Sequence, residues 1–93
     1  MTAYVIVGFN PKNVEKLQAY SAEAAPIIAK YKGEFLVKGE LKQLCGEYGY
    51  KVQVLIMFPT RVLAESWYNS PDYQALIPLR NQGMECHFQI VGE

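Results

Sequence analysis

The sequence predicts an α+β fold: a four-stranded antiparallel sheet with its helices on one face. Three observations predict it. Four short β-rich runs are bounded by Pro, Gly or Asn. Two stretches between them repeat apolar residues at helical spacing. The resulting order is β-α-β-β-α-β, two strand-helix-strand halves joined by a hairpin, which is the ferredoxin-like arrangement. The chain has 93 residues, 51% of them hydrophobic, which suits one packed core and excludes a disordered chain. We read residues 1–93 as a single domain.

The first strand is residues 3–9 (AYVIVGF), closed by the Asn10-Pro11 turn signal. Asn13 then caps a helix whose stripe is Val14, Leu17, Ala24, Ile28 and Tyr31. Pro26 lies inside it and predicts a kink, and Gly33 is the natural residue to end it. Strand two is residues 34–38 (EFLVK). Gly39 reads as a bulge, with pairing continuing toward Leu44 and residues 46–49 (GEYG) as the hairpin loop. Strand three, residues 51–58 (KVQVLIMF), alternates and is stopped by Pro59. Thr60 caps a helix over residues 61–69, with Leu63, Ala64, Trp67 and Tyr68 toward the core. Ser70-Pro71-Asp72 starts a short third helix anchored by Tyr73, Leu76 and Ile77, and Pro78 limits its length. Strand four is residues 86–91 (CHFQIV).

Side chains alternate along each strand. Val5, Val7 and Phe9, with Val54, Ile56, Phe58, Phe88 and Ile90, make a wholly apolar set for the helix side. The opposite face still carries Tyr4, Ile6, Leu55, Met57 and Val91, beside His87 and Gln89. Leu36 or Val37 joins it, depending on the phase of strand two. Burying about six such side chains is worth on the order of 10 kcal/mol, comparable with a whole domain's stability of about 5–15 kcal/mol. A two-layer monomer would leave this face wet, so we expect a homodimer with sheets face to face, through Tyr4, Ile6, Leu55, Met57, Gln89 and Val91.

Charge narrows the partners further. Nine basic and nine acidic residues balance, so no nucleic-acid clamp is expected. No apolar run is long enough for a membrane span. Cys45 and Cys86 read as reduced thiols of a cytoplasmic protein, and two Cys with one His give no zinc spacing. No metal and no cofactor is expected.

Residues 31–39 (YKGEFLVKG), residues 58–60 (FPT), Ala64 and residues 67–76 (WYNSPDYQAL) carry a resemblance. They are similar to the signature segments of the family known as domain of unknown function 1330, within the dimeric α/β-barrel superfamily. The resemblance spans nearly the whole chain. It implies a ferredoxin-like subunit and a sheet-to-sheet dimer, and little chemistry, since the family's activity is undefined. More distant members of the superfamily are cofactor-free monooxygenases, lactone isomerases and haem enzymes, none of whose catalytic residues can be placed here by motif. Two positions depart from the family pattern: Met57 stands where a Glu is common, and Glu40 where a second Gly follows Gly39.

Five residues are candidates for binding a ligand. His87 is either a proton shuttle or a strand-end hydrogen-bonder, and the lack of an evident orienting carboxylate favours the second. Lys38 holds an anion on the His87 face if the strand phase permits, or else carries its ammonium to the rim. Arg80 clamps a carboxylate or bonds helix-end carbonyls. Trp67 and Tyr73, with Tyr68, line a pocket or pin the short helices to the sheet; Tyr20 and Tyr31 share that ambiguity. The reading that follows is a homodimer binding a small, partly apolar molecule. The alternative is a cofactor-independent monooxygenase or isomerase acting on an aromatic or lactone-like substrate.

Overall fold

The structure, a computed structural model, describes residues 2–93. Strand β1 (Ala3–Pro11) leads to helix α1 (Val14–Lys30), then β2 (Glu34–Glu40) and β3 (Val52–Phe58). Three helices follow, α2 (Arg61–Asn69), α3 (Pro71–Gln74) and α4 (Ile77–Gly83), before β4 (Met84–Gly92). The sheet order is β2-β3-β1-β4, and each pairing is antiparallel. This is the α+β, ferredoxin-like fold that the element order predicts.

Local chemistry explains most boundaries. The Asn13 side chain accepts from the Lys16 N–H, and the Thr60 hydroxyl accepts from the Leu63 N–H. Ser70 is buried and serves two helices. Its hydroxyl donates to the Trp67 carbonyl at 2.8 Å, closing α2, and accepts from the Tyr73 N–H at 3.1 Å, opening α3. The alternating apolar set behaves as read. Val5, Val7, Phe9, Val54, Ile56 and Phe58 are buried against Tyr20, Ala24 and Ile28 of α1 and Ala64 and Trp67 of α2.

Several expectations need correction. Val14 heads the stripe of α1 but is exposed, and Tyr20 fills the gap between Leu17 and Ala24. The stripe therefore reads Leu17, Tyr20, Ala24, Ile28. The helix runs as one element through Pro26. Strand four is longer than residues 86–91, because Met84 and Glu85 pair with Pro11 and Asn10. The short third helix whose length Pro78 was to limit is two elements: α3 ends at Gln74, and Pro78 lies in the first turn of α4, where its missing N–H costs nothing. Gly83 then lets α4 approach α1, since a Cβ there would meet the Leu17 backbone N at 2.7 Å.

Strand two differs most. Its bulge is not at Gly39 but between Phe35 and Val37, leaving Leu36 unpaired. Phe35 lies opposite Ile56, and Lys38 opposite Val54, so both share the helix side. Val37 lies opposite Leu55 and joins the outer face. The strand ends at Glu40, one further backbone bond joins the Leu41 N–H to the Lys51 carbonyl at 2.8 Å, and the connection up to residue 51 is longer than a tight hairpin.

Candidate functional site

Between α1 and the sheet lies a cavity of about 430 Å³. Its wall is mostly hydrocarbon, from Leu17, Ala24, Ala25 and Ile28 of α1, Val54 and Ile56 of β3, and Phe35 and Leu36 of β2. Four lining residues carry polar groups: Tyr20, Ser21, Lys38 and Trp67. The bulge at Leu36 gives the cavity its rim, turning Lys38 onto this side, where its ammonium lies 5.9 Å from the Phe9 ring centroid. The Trp67 side chain is wholly buried, and its indole N–H has no partner among the described residues. It stacks on Phe58 and lies tilted against Tyr73.

Behind the wall is a polar network in a low-dielectric setting. The Tyr20 and Tyr73 hydroxyls are 2.6 Å apart. One Arg80 terminal nitrogen donates to Tyr73 Oη at 3.2 Å and to Tyr68 Oη at 3.0 Å, and Nε donates to the Asn81 side-chain oxygen at 3.3 Å. The guanidinium also lies 4.9 Å from the Phe88 ring centroid. No carboxylate pairs with this buried cation among the described residues, where the ion pairs are Lys30–Asp72 and Arg61–Glu65. Burial opposes the Arg80 charge, but the hydroxyls of Tyr68 and Tyr73 offset it and hold the guanidinium protonated. Burial, reinforced by the neighbouring Tyr73, pushes the Tyr20 phenol well above its ordinary range, and burial raises Tyr73 despite its hydrogen bonds. The Cys86 thiol is also raised by burial, against the pull of Arg80 and Lys12.

The outer face holds a second cluster. Residues 41–51 fold back over the sheet, tied by Asn10, whose side chain donates to the Gly49 carbonyl at 2.9 Å and accepts from the Lys51 N–H at 2.8 Å. Tyr48 Oη hydrogen-bonds His87 Nε2, and the Tyr50 ring stacks on the imidazole at 4.6 Å. Gly8, between Gln53 and His87 in the sheet, makes room: a Cβ there would lie 2.8 Å from His87 Nε2 and would clash with the Tyr48 hydroxyl.

The five candidates therefore divide. Lys38 and Trp67 line the cavity, while Tyr73 and Arg80 stand behind it. His87 is on the other side of the sheet, and Lys38 does not share its face. Arg80 engages tyrosine hydroxyls rather than a carboxylate or helix-end carbonyls. Tyr20, named above as lining a pocket or pinning a helix, is in the wall, and Ser21 was the residue to add, because it falls four positions after Leu17, where the stripe of α1 has to continue. Tyr48 and Tyr50 carry no comparable signal in the sequence, since a loop reaches them across it.

The family described as Domain of unknown function (DUF1330) matches residues 2–93, all but one residue of the chain. The protein belongs to the DUF1330 family. Among solved structures, this DUF1330 chain is similar to a protein of unknown function from Rhodopseudomonas palustris (TM-score 0.79, 11% identity, 99% of this chain and 82% of that one). It is also similar to a dimeric ferredoxin-like protein of unknown function from Jannaschia sp. CCS1 (TM-score 0.73, 12% identity, 100% of both chains). A third likeness is to SnoaB, a cofactor-independent oxygenase from Streptomyces nogalater (TM-score 0.71, 9% identity, 99% and 92%). At these identities the likeness is one of fold. No curated protein matches the DUF1330 chain.

Proposed function

We propose that this protein is a cytoplasmic homodimer, each chain a single domain, that binds a small, partly apolar molecule in the cavity beneath α1. The cavity carries the reading. Its volume of about 430 Å³ falls in the range of ligand sites, and a hydrocarbon wall with a few polar groups is what such sites use to gain affinity and orientation. The dimer is supported by the outer face, where Tyr4 and Val91 are exposed and Ile6, Leu55 and Met57 are half-buried, and by the Jannaschia relative's description as dimeric. Two unpaired thiols, one of them exposed, suit a reducing compartment.

The SnoaB likeness raises a second reading, cofactor-independent oxygenation. Such chemistry needs a base within reach of a substrate carbon. Tyr20 is held protonated by burial, and His87 lies on the opposite face, which leaves Lys38 as the other ionisable group of the wall. Binding is the better-supported reading.

The test is thermal shift with a panel of fused-ring compounds of naphthalene size against the native chain and Ala25→Phe. Ala25 lines the cavity from an exposed position, so a larger side chain there fills the space without disturbing the core. Several compounds should raise the native melting temperature, and Ala25→Phe should abolish the shift. A native chain that none of them stabilises would remove the proposal.

A further inference from the structure

We infer that the cavity is built for an amphiphilic monoanion, an apolar body carrying one carboxylate, and that Lys38 at its mouth is the counter-ion. This rests on the cavity being the binding site, and extends that reading to the ligand's charge and to the way round it lies.

The wall holds a single full charge. Among its described residues that charge is the Lys38 ammonium, and no carboxylate lines the cavity beside it. Lys38 takes part in neither of the ion pairs among the described residues, Lys30–Asp72 and Arg61–Glu65. Glu40, opposite Val52, shares the helix side of β2, but it is outside the wall and makes no ion pair with Lys38. Arg80 stays behind the wall, engaged by the Tyr68 and Tyr73 hydroxyls. The cavity therefore carries an excess of one positive charge that the chain itself leaves unanswered.

The register of β2 puts that charge at one end. Lys38 stands opposite Val54, and its stem reaches toward Phe9, which pairs with Val52. The ammonium lies over the Phe9 ring, 5.9 Å from the centroid. Phe9 is a buried wall residue, so the cation is over the lining of the cavity and not on the far side of the strand. Lys38 is exposed, which keeps its head at the boundary with water. Two positions the other way along β3, Phe35 and Ile56 face each other and offer only hydrocarbon.

Each kind of ligand meets this differently. A carboxylate deep among hydrocarbon would be costly. One held at the mouth beside the ammonium stays partly hydrated while its apolar body is buried. A cationic ligand brings like charges together, and a neutral one gains the burial alone. The anion is thus the ligand for which both ends of the cavity contribute.

Three compounds of one skeleton test this: 2-naphthoate, the neutral 2-naphthamide, and 2-naphthylmethylammonium. Isothermal titration calorimetry on the native chain should place the carboxylate about five-fold tighter than the amide, the worth of one ion pair at a water-exposed rim, with the ammonium weakest. Added salt should narrow the gap between carboxylate and amide. In Lys38→Met the carboxylate should lose its lead, while amide binding stays unchanged and shows that the cavity is intact. Lys38→Glu should give the lead to the ammonium. Ala25→Phe should abolish binding of all three. Equal binding of the three by the native chain, a lead for the ammonium, or a carboxylate lead that survives in Lys38→Met would overturn the counter-ion assignment and leave the cavity reading standing. Failure of all three to bind, or carboxylate binding that persists in Ala25→Phe, would overturn both.

Discussion

At the end of α1 the backbone turns left-handed at Lys32, with φ 67°, while the residue without a side chain comes one position later. The Lys32 N–H reaches the Ala29 carbonyl and the Gly33 N–H the Ile28 carbonyl, a Schellman closure. Gly33 is needed for space: a Cβ there would lie 2.6 Å from Ile28 Cγ2 and 2.7 Å from Phe58 Cε2. Lys32→Gly should therefore raise stability by about 0.5–1 kcal/mol by relieving the left-handed strain, and Gly33→Ala should lower it by about 1–3 kcal/mol through overpacking, both read from urea denaturation. Reading Gly33 as the helix terminator was natural from composition, since a glycine wanted for clearance looks the same as one wanted for φ. The buried phenols give a pH prediction. Tyr20 and Tyr73 hold their protons above the ordinary tyrosine value of 10.0, whereas the unfolded chain releases them there. Above about pH 10 the unfolded state thus binds fewer protons, and stability falls as pH rises; below it these groups contribute no slope. Phenolate absorbance should show Tyr20 and Tyr73 ionising only together with the loss of the circular dichroism signal. Ionisation of all seven tyrosines in a chain that stays folded would contradict it.

Among the elements, the connection 41–51 is held over the sheet at a place where Gly8 leaves room for it. Gly8→Ala would drive a methyl into the space of the Tyr48 hydroxyl and the His87 imidazole. The segment should lift from the sheet, and trypsin should cut after Lys42 and Lys51 several-fold faster, with the far-ultraviolet spectrum retained. An unchanged cleavage rate would mean that Tyr48 does not hold the segment. What was legible in the sequence here was local. Thr60 and the Ser70-Pro71 pair start helices through bonds three residues long, and strict alternation in β1 and β3 sorts core from surface. What was not legible depends on partners far along the chain. The bulge at Leu36 is defined only against β3, and the helical role of Pro78 is set by where α4 meets α1. The Tyr48–His87 contact joins positions 39 apart. The cavity divides in the same way: Trp67 and Lys38 could be named from their types, but the bulge decides that Lys38 reaches the cavity side.

For the whole molecule, the outer face sets the expected assembly. Tyr4 lies between Met57 and Val91 in the middle of the sheet and is 37% exposed. Tyr4→Glu would place a charge at the centre of the pairing surface, where burial without a partner is costly. Light scattering should show the native chain at twice its monomer mass and the variant at the monomer mass with its fold intact; a native monomer, or a variant that stays paired, would contradict the arrangement. The tyrosine-covered end of the same face is already shielded by its own chain, so a second copy has the Tyr4 end to occupy. The bulged strand β2 has a consequence of another kind. It forms one margin of the sheet, each of its seven residues is exposed, and it borders the cavity, whereas the largest buried side chains, Trp67, Tyr73, Phe58 and Val5, all belong to other elements. Peeling that border strand from its neighbour breaks one ladder and leaves those four packed. On the binding reading, a guest molecule would come and go by unzipping a hem, at the expense of one strand pairing rather than of the fold.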